Sequence, residues 1–295
     1  MPSTIIEKLW NEHLVADLGD GTSLIYIDRV FLHERTGSVA LKSLEAASRS
    51  VRNPEQTFCT MDHIVDTFPG RTDKTMMPSG TDFIVATRDA SHAAGINLFD
   101  LGDRRQGIAH VISPEQGIAL PGVTLVCPDS HTGTLGGLGA LAWGIGSTEA
   151  EHALVTKTLV VKKPKTMRVT FTGSLKPGIT AKDMILKLIG EHTASGGIGY
   201  AIEFAGEAVR NLEIEARLTL CNMTVEFGAW SGMVAPDQKT IDYVKGRPYA
   251  PTDDQWDKAV EYWRTLKTDD GASFDRELVI NCDEIVPQVS WGTSP

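Results

Sequence analysis

The sequence contains few cysteines, and none of them forms a short metal-binding or redox motif. The four are Cys59, Cys127, Cys221 and Cys282, with no C-x-x-C spacing between any two. In a reducing compartment such scattered thiols are most simply core residues, and a framework of two disulfides is not expected without secretion. A metal site made of all four would need distant segments to converge, which a sequence alone does not show.

An excess of positive charge and long hydrophobic runs are also missing. Lys and Arg number 28 against 38 Asp and Glu, a formal net charge of −10, which argues against a nucleic acid or an anionic membrane as partner. Glycine or charged residues interrupt every apolar stretch well before the ~20 residues that a membrane span needs. The first residues, MPSTIIEKLWNEHLVADLGDG, form a mixed-charge helical pattern and not a signal peptide. These absences predict a cytoplasmic enzyme.

Several familiar motifs are absent or incomplete. The P-loop pattern G-x-x-x-x-G-K-[ST] does not occur, and the glycine-rich run GGLGALAWGIG at 136–146 never completes G-x-G-x-x-G. Glu149 and His152 have the Glu-x-x-His spacing of di-iron bundles, but those bundles need two such motifs on four helices. A P-loop is therefore excluded, a Rossmann fold is only weakly indicated, and His152 is assigned a structural role.

Short apolar, β-rich runs alternate with helical patterns along the chain, which predicts an α/β fold. A length of 295 residues, at roughly 150 residues per domain, indicates about two domains. The charged, proline-containing segment KKPKTMRV at 162–169 places the boundary, so we expect domains at 1–165 and 166–295. The local patterns predict a strand at 23–33, helices at 39–50 and 78–97, a strand-like run at 107–113, a buried helix and then an amphipathic one within 132–161, and a strand-like run leading into a helix within 212–235.

The residues that carry chemistry are histidines beside carboxylates, at the predicted ends of strands or loops. They are Asp62 with His63, His110, and Asp129 with Ser130 and His131. In α/β proteins, ligand sites form in the loops at the ends of parallel strands. A histidine that is hydrogen-bonded to a carboxylate is oriented and kept basic, which suits general acid–base catalysis.

Other interpretations of these residues stay open at this point. The side chains of His63, His110, Asp129 and His131 could instead ligate a hydrolytic metal directly. Each histidine taken alone is more often structural. A nucleophile–base pair made of Ser130 and His131 is disfavoured, because chain neighbours rarely reach that geometry.

Longer segments carry a resemblance to a known family. They are FCTMDHIVDT, the run from QGIAHVISPEQG to STEAEHAL, PGITAKDMILKLIG, the run from EFAGEAVRNLE to SGMVAPD, and VKGRPYAP. The chain resembles the aconitase superfamily and, within it, the large subunits of bacterial 3-isopropylmalate dehydratases, from its first helix to PQVSWGTSP. The resemblance implies α/β/α layers and the first two domains of the aconitase arrangement.

The activity implied by the resemblance is that of a hydro-lyase in leucine biosynthesis. Such an enzyme isomerises 2-isopropylmalate to 3-isopropylmalate by dehydration and rehydration. In the family, a [4Fe-4S] cluster with one open iron acts as a Lewis acid on the substrate. A separate small subunit supplies the proton-abstracting serine and the loop that reads the alkyl group, so the resemblance implies a partner chain.

Site roles follow from the resemblance position by position. It assigns catalytic roles to Asp62, His63, His110, Asp129, His131 and Glu226, and substrate binding to Ser130 and Asn222. The expected pairs are Asp62 with His63, Asp129 with His110, and Glu226 with His131. His63 is the expected donor of a proton to the departing hydroxyl. Without the resemblance, CNMTVEFGAW would be interpreted as a helix start capped by Asn222.

The sequence departs from the family at the cluster. The family's G-S-C-T-N and C-x-x-C motifs are missing, and none of the four cysteines has a matching context. The cluster ligands are therefore expected beyond Pro295. On this interpretation the chain is a truncated large subunit, which alone should hold no cluster and show no activity.

A second departure concerns the substrate. Many family members carry T-S-P-Q-A after the first His-Glu, whereas HERTGSVAL places Val39 at about the position of the glutamine. This leaves open a paralogous dehydratase for citraconate, maleate, dimethylmalate or homoaconitate. An interpretation of another class is a non-catalytic scaffold fragment that binds the small subunit.

Overall fold

Helices and strands alternate through the computed structural model, which describes residues 1–292 and 295. The helices are α1 (Ile5–Glu12), α2 (Gly37–Ala46), α3 (Gly80–Ala94), α4 (Ala109–Glu115), α5 (Ser147–Thr156), α6 (Ala181–His192), α7 (Glu207–Asn211), α8 (Ile214–Asn222), α9 (Gln238–Val244) and α10 (Asp253–Trp263). The strands are β1 (Leu14–Gly19), β2 (Thr22–Tyr26), β3 (Arg29–His33), β4 (Thr57–Thr60), β5 (Asn97–Phe99), β6 (Thr124–Cys127), β7 (Leu141–Gly144), β8 (Thr158–Lys162), β9 (Lys165–Thr172), β10 (Tyr200–Ala205), β11 (Ser231–Val234) and β12 (Arg276–Asn281). The predicted α/β class is confirmed.

The strands form three sheets. A five-stranded parallel sheet has the order β5-β4-β3-β6-β7, and a four-stranded parallel sheet has the order β11-β10-β9-β12. A small antiparallel sheet, β1-β2-β8, lies beside them. Val30 pairs with Thr57 and His33 with Thr60, so β3 and β4 end side by side. Because parallel strands end at one edge of a sheet, the loops after β3, β4 and β6 meet there.

Each parallel sheet has its own apolar core. Phe31 and Phe58 are buried in the core of the five-stranded sheet, and Phe171 and Phe204 in that of the four-stranded sheet. Residues from α9 and from the end of α10 return to the first core, as buried Trp263 illustrates. The second half of the chain thus contributes to both cores, and the division into domains at residue 165 stays a prediction.

Three tryptophans pack together in the core of the five-stranded sheet and join elements that are distant in sequence. Trp230, which precedes β11, stacks on Trp143 of β7 with ring centroids 4.9 Å apart. It meets Trp10 of α1 edge-on at 6.3 Å. Aromatic pairs at such separations add to the stability gained from burial alone.

Glycines in the glycine-rich run allow backbone segments to pack closely against each other. Residues 130–138 form a 3₁₀ segment and not the predicted buried helix, and β7 follows it. A Cβ atom at Gly137 would lie 2.8 Å from the backbone nitrogen of Leu218 in α8, and one at Gly136 would overlap the carbonyl oxygen of Gly232. Glycine is therefore required at both positions, because two backbone segments approach each other closely. The incomplete G-x-G-x-x-G pattern has no bearing on these two glycines.

Three further local predictions were wrong. The single strand expected at 23–33 is two strands, β2 and β3, in different sheets. Between these two strands, the side chain of Asp28 accepts a hydrogen bond from the backbone N–H of Thr124 at 2.8 Å. The strand-like run at 107–113 lies mostly in helix α4, and the strand-like run that was expected to open the segment 212–235 is helix α8.

The four cysteines are buried and form no disulfide, as predicted for core residues. Within the described residues, every helix is too short or too polar to cross a lipid bilayer.

Candidate active site: a histidine–carboxylate network

The candidate site lies at the carboxyl edge of the five-stranded sheet. Asp62 and His63 follow the end of β4 at Thr60, and Asp129 follows the end of β6. His110 lies in the first turn of α4. Side chains from three segments that are distant in sequence therefore share one edge. The strands β4 and β6 flank β3 in the parallel sheet, and α4 is the helix that follows β5.

His63 lies between two carboxylates. Its Nδ1 is 2.6 Å from Oδ1 of Asp62, and its Nε2 is 3.0 Å from Oδ2 of Asp129. The second oxygen of Asp129 is 3.1 Å from Nε2 of His110. Both contacts of Asp129 with the histidines are ion-pair contacts, and Nε2 of His110 is a buried nitrogen without a hydrogen-bond partner. The structure thus brings Asp62, His63, Asp129 and His110 into one continuous network.

The contacts in this network determine the charge of His63 and of Asp129. The carboxylates of Asp129 and then Asp62 raise the pKa of His63 to about 10. Burial would raise the pKa of Asp129, but its contacts with His110 and His63 and the backbone hydrogen bond from His131 outweigh burial and hold that pKa well below its usual range. At neutral pH His63 is therefore an imidazolium ion that carries a proton on each ring nitrogen.

A second pair lies beside this network. Nε2 of His131 is 3.2 Å from Oε1 of Glu226, and the backbone N–H of His131 donates to Oδ1 of Asp129 at 2.8 Å. The backbone bond links the two groups. The side chains of His131 and Glu226 are 35% and 40% exposed, so this pair lies open to a ligand.

Ser130 and His131 lie closer than the sequence suggested. Oγ of Ser130 is 3.2 Å from Nδ1 of His131, because the chain turns into the 3₁₀ segment at this point. Acyl transfer also needs donors for an oxyanion. The adjacent N–H of His131 already donates to Asp129, so the arrangement does not favour a serine nucleophile.

Asn222 ends helix α8 and does not begin a helix, so the interpretation as an N-terminal cap was wrong. Its Nδ2 donates to Oγ1 of Thr134 at 2.9 Å. Together with His110 and Met223, Asn222 lines a pocket of about 490 Å³ between α4 and α8. The pocket brings His110 together with an amide and with apolar groups, which suits a small ligand with both polar and alkyl parts.

Sequence reasoning assigned no role to His33 and Glu34, which end β3 and follow it. The ring of His33 stacks on that of His63 with centroids 3.7 Å apart. Its Nε2 donates to the carbonyl oxygen of Pro128 at 2.9 Å, and burial lowers its pKa. The available signal was the dipeptide His-Glu directly after a predicted strand, at the same edge as the other candidates.

The same residues form a compact group of metal-type ligands, but their contacts identify a hydrogen-bond network. Donor atoms of His33, Glu34, Asp62 and His63 lie within 4.8 Å of one another. The oxygens of Glu34 accept from the backbone, and Nδ1 of His63 faces Asp62. The alternative ligand set with His110, Asp129 and His131 likewise consists of histidine–carboxylate pairs, which does not favour direct ligation.

The cysteines of this chain do not fit the ligands of an iron–sulfur cluster. Cluster iron is held by cysteine thiolates that converge on one site, whereas Cys59 and Cys127 are buried in the core of the five-stranded sheet and Cys221 and Cys282 in that of the four-stranded sheet. We therefore derive no chemical step through a cluster held by these four residues.

Comparison with known proteins is consistent with this geometry. The chain is 51% identical over 292 residues, 99% of its length, to the 3-isopropylmalate dehydratase large subunit 1 of Bradyrhizobium diazoefficiens. It spans 61% of the length of that curated relative. Residues 7–295 match the Aconitase family (aconitate hydratase). With a match over nearly its whole length, this chain belongs to the aconitase family.

Proposed function

We propose that the chain is part of the large subunit of a cytoplasmic hydro-lyase that isomerises 2-isopropylmalate to 3-isopropylmalate by dehydration and rehydration. The observation that carries the proposal is the ring of His63 between Asp62 and Asp129, at 2.6 and 3.0 Å. The name of the Bradyrhizobium relative supports the choice of substrate.

The roles of the side chains follow from their charge and position. Loss of hydroxide from a carbon needs a proton at the leaving oxygen, and protonated His63 is the group that holds one. Asp129, shared with His110, keeps that proton on the ring until the substrate takes it. His131 with Glu226 forms a second proton-handling pair, and Ser130 and Asn222 orient the substrate through a hydroxyl and an amide.

The proposed enzyme needs parts that this chain does not supply. We infer that the [4Fe-4S] cluster implied by the family resemblance is held by cysteines other than the four present here. The name of the relative supports a small subunit as partner. The remaining substrate question concerns Val39, whose side chain is 54% exposed on α2, so a related hydroxy-diacid is the alternative to 2-isopropylmalate.

The test is turnover by the complete, cluster-loaded large subunit together with its small subunit. His63→Ala and Asp129→Ala are each expected to lower turnover of 2-isopropylmalate by about 10² or more while leaving the cluster content unchanged. His152→Ala is the matched control, because His152 lies exposed on α5 away from the network.

Each other outcome selects another interpretation. Wild-type turnover in either variant would remove that residue from the mechanism. Faster turnover of citraconate, maleate, dimethylmalate or homoaconitate would reassign the substrate. A stable complex without turnover of any of them would favour the scaffold, and stoichiometric zinc or manganese with hydrolytic activity would favour the metal-dependent hydrolase.

A further inference from the structure

Glu34 is a buried carboxylate with an unusual set of partners. Its side chain is 0% exposed, and a buried charge is costly unless hydrogen bonds or opposite charge compensate it. Within residues 1–292, no Lys, Arg or His forms an ion pair with it. The hydrogen bonds that its carboxylate accepts come from the backbone.

Three successive amides supply that compensation. The N–H of Asp62 donates to Oε2 of Glu34 at 2.9 Å, and the N–H of His63 donates to Oε1 at 2.7 Å. The N–H of Ile64 also donates to Oε1. Consecutive backbone amides that converge on one anion form a strong, oriented cradle. Glu34 thus fixes the backbone of the loop that carries both Asp62 and His63.

The position of Glu34 in the sheet explains why it can do this. The pairing of β3 with β4 ends at His33 and Thr60, so the amides beyond Met61 have no strand partner. Glu34 directly follows the last residue of β3, and its side chain accepts the next hydrogen bonds where the pairing of β3 with β4 ends. His33 holds the opposite loop through Pro128 and stacks under His63. His33 and Glu34, which are adjacent in sequence, therefore fix the two loops whose side chains contact the ring of His63.

We propose that Glu34 is a positioning residue of the candidate site, which holds the 62–64 loop so that the ring of His63 reaches both Asp62 and Asp129. Glu34 acts through the backbone and has no role as proton donor or acceptor. The importance of Glu34 for catalysis rests on the proposed function. The positioning itself is tested by the titration of His63 in the chain without substrate.

The test is the titration of His63 in the 295-residue chain, followed by NMR with ¹⁵N-labelled histidine. Glu34→Gln keeps the length of the side chain but presents an amide donor to a backbone donor, so the loop loses part of its cradle. The midpoint of His63, near 10 in the parent chain, is expected to fall by about one pH unit or more. Glu34→Asp keeps the charge on a shorter side chain, and its midpoint is expected to lie between the two.

Matched controls come from the same chain. Glu203→Gln makes the same change at another buried carboxylate, on β10, and is expected to leave His63 unchanged. His13, which pairs with Asp28 at 2.8 Å, is an internal reference in every spectrum. An unchanged midpoint of His63 in Glu34→Gln would overturn the proposal.

A double-mutant cycle separates positioning from the simple loss of a nearby charge. Asp129→Asn is expected to lower the midpoint of His63 in the parent chain. It should have little further effect in the Glu34→Gln background if the ring there does not reach Asp129. A full Asp129→Asn shift in that background would assign Glu34 an electrostatic effect only and overturn the positioning role.

The parent chain offers a measurement that needs no variant, should Glu34→Gln fail to fold. The amides of Asp62, His63 and Ile64 lie in a loop, yet they are expected to exchange with solvent as slowly as strand amides. Exchange as fast as in exposed loops would refute the cradle.

In the complete enzyme, Glu34→Gln is expected to lower kcat by about 10²-fold with a smaller change in KM. A shifted His63 in an enzyme that never turns over 2-isopropylmalate would sink the proposed function and leave the positioning role standing.

Discussion

At the scale of the residue, Asp129 is the centre of the charge arrangement. One oxygen contacts His63 and the other contacts His110 and the backbone N–H of His131. A carboxylate with so many positive or N–H neighbours stays ionised, and it in turn keeps His63 protonated. Replacing this one side chain therefore changes the charge of the whole network.

Asp129→Asn should destabilise the chain in a way that depends on pH. The pKa of His63 is raised, so its contribution is full below the unfolded value of about 6.5 and is lost as pH rises through about 10. The pKa of Asp129 is lowered, so its contribution is present above about 3.9 and is lost at lower pH. The loss of unfolding free energy is expected to be largest between about pH 4 and 6.5 and to shrink above that by at most about 1.4 kcal/mol per pH unit.

Urea unfolding at about pH 5.5, 8 and 10 measures this difference. Asp257→Asn, an exposed position on α10, is the control and should change stability little at any pH. A destabilisation by Asp129→Asn that is the same at all three pH values would contradict the ion pair.

At the scale of the element, the 3₁₀ segment 130–138 and helix α8 pack with their backbones in near contact. Gly137→Ala would force a methyl group against Leu218 and is expected to destabilise the chain by about 1–3 kcal/mol. Gly190→Ala, inside helix α6 where a Cβ meets nothing within 4 Å, is expected to stabilise it by about 0.5–1 kcal/mol. Thermal unfolding of both variants compares the same substitution at two positions, and equal signs would contradict the packing argument.

Elements were predictable where a local pattern decides them. The helix α6 begins after the capping box of Thr180 and Asp183, which the sequence indicates directly. Helix α4 was missed because its β-branched residues favour a strand, whereas a distant group stabilises its start: the carboxylate of Asp62 accepts from the N–H of Ala109 at 2.7 Å. No local pattern contains a partner 47 residues away.

The candidate site was predictable in part for the same reason. Histidines next to carboxylates at strand ends pointed to one edge of the sheet, and family resemblance named the pairs. Glu34 carried no such mark, because its partners are backbone amides, which every residue other than proline has. A residue that acts on the backbone of a distant loop can be recognised only once the strands have been paired.

At the scale of the whole molecule, the four thiols are distributed between the two cores and all are buried. Anaerobic incubation of this chain with iron and sulfide is therefore expected to give no cluster absorbance and no stoichiometric bound iron. The full-length relative from Bradyrhizobium diazoefficiens, treated in parallel, tests whether a longer chain assembles a cluster under the same conditions. A stable cluster on the 295-residue chain would show that these cysteines supply ligands, and serine substitutions would then identify them.

The three tryptophans give the molecule an optical signature of its own assembly. Indole rings stacked as closely as those of Trp143 and Trp230 couple their excited states, and Trp10 adds a third chromophore from the first helix. The rings belong to α1, to β7 and to the segment before β11, so their coupling exists only while these elements are in place. Near-ultraviolet circular dichroism of this chain therefore reports, without any label, whether α1, β7 and the segment that leads into β11 are packed together in the first core.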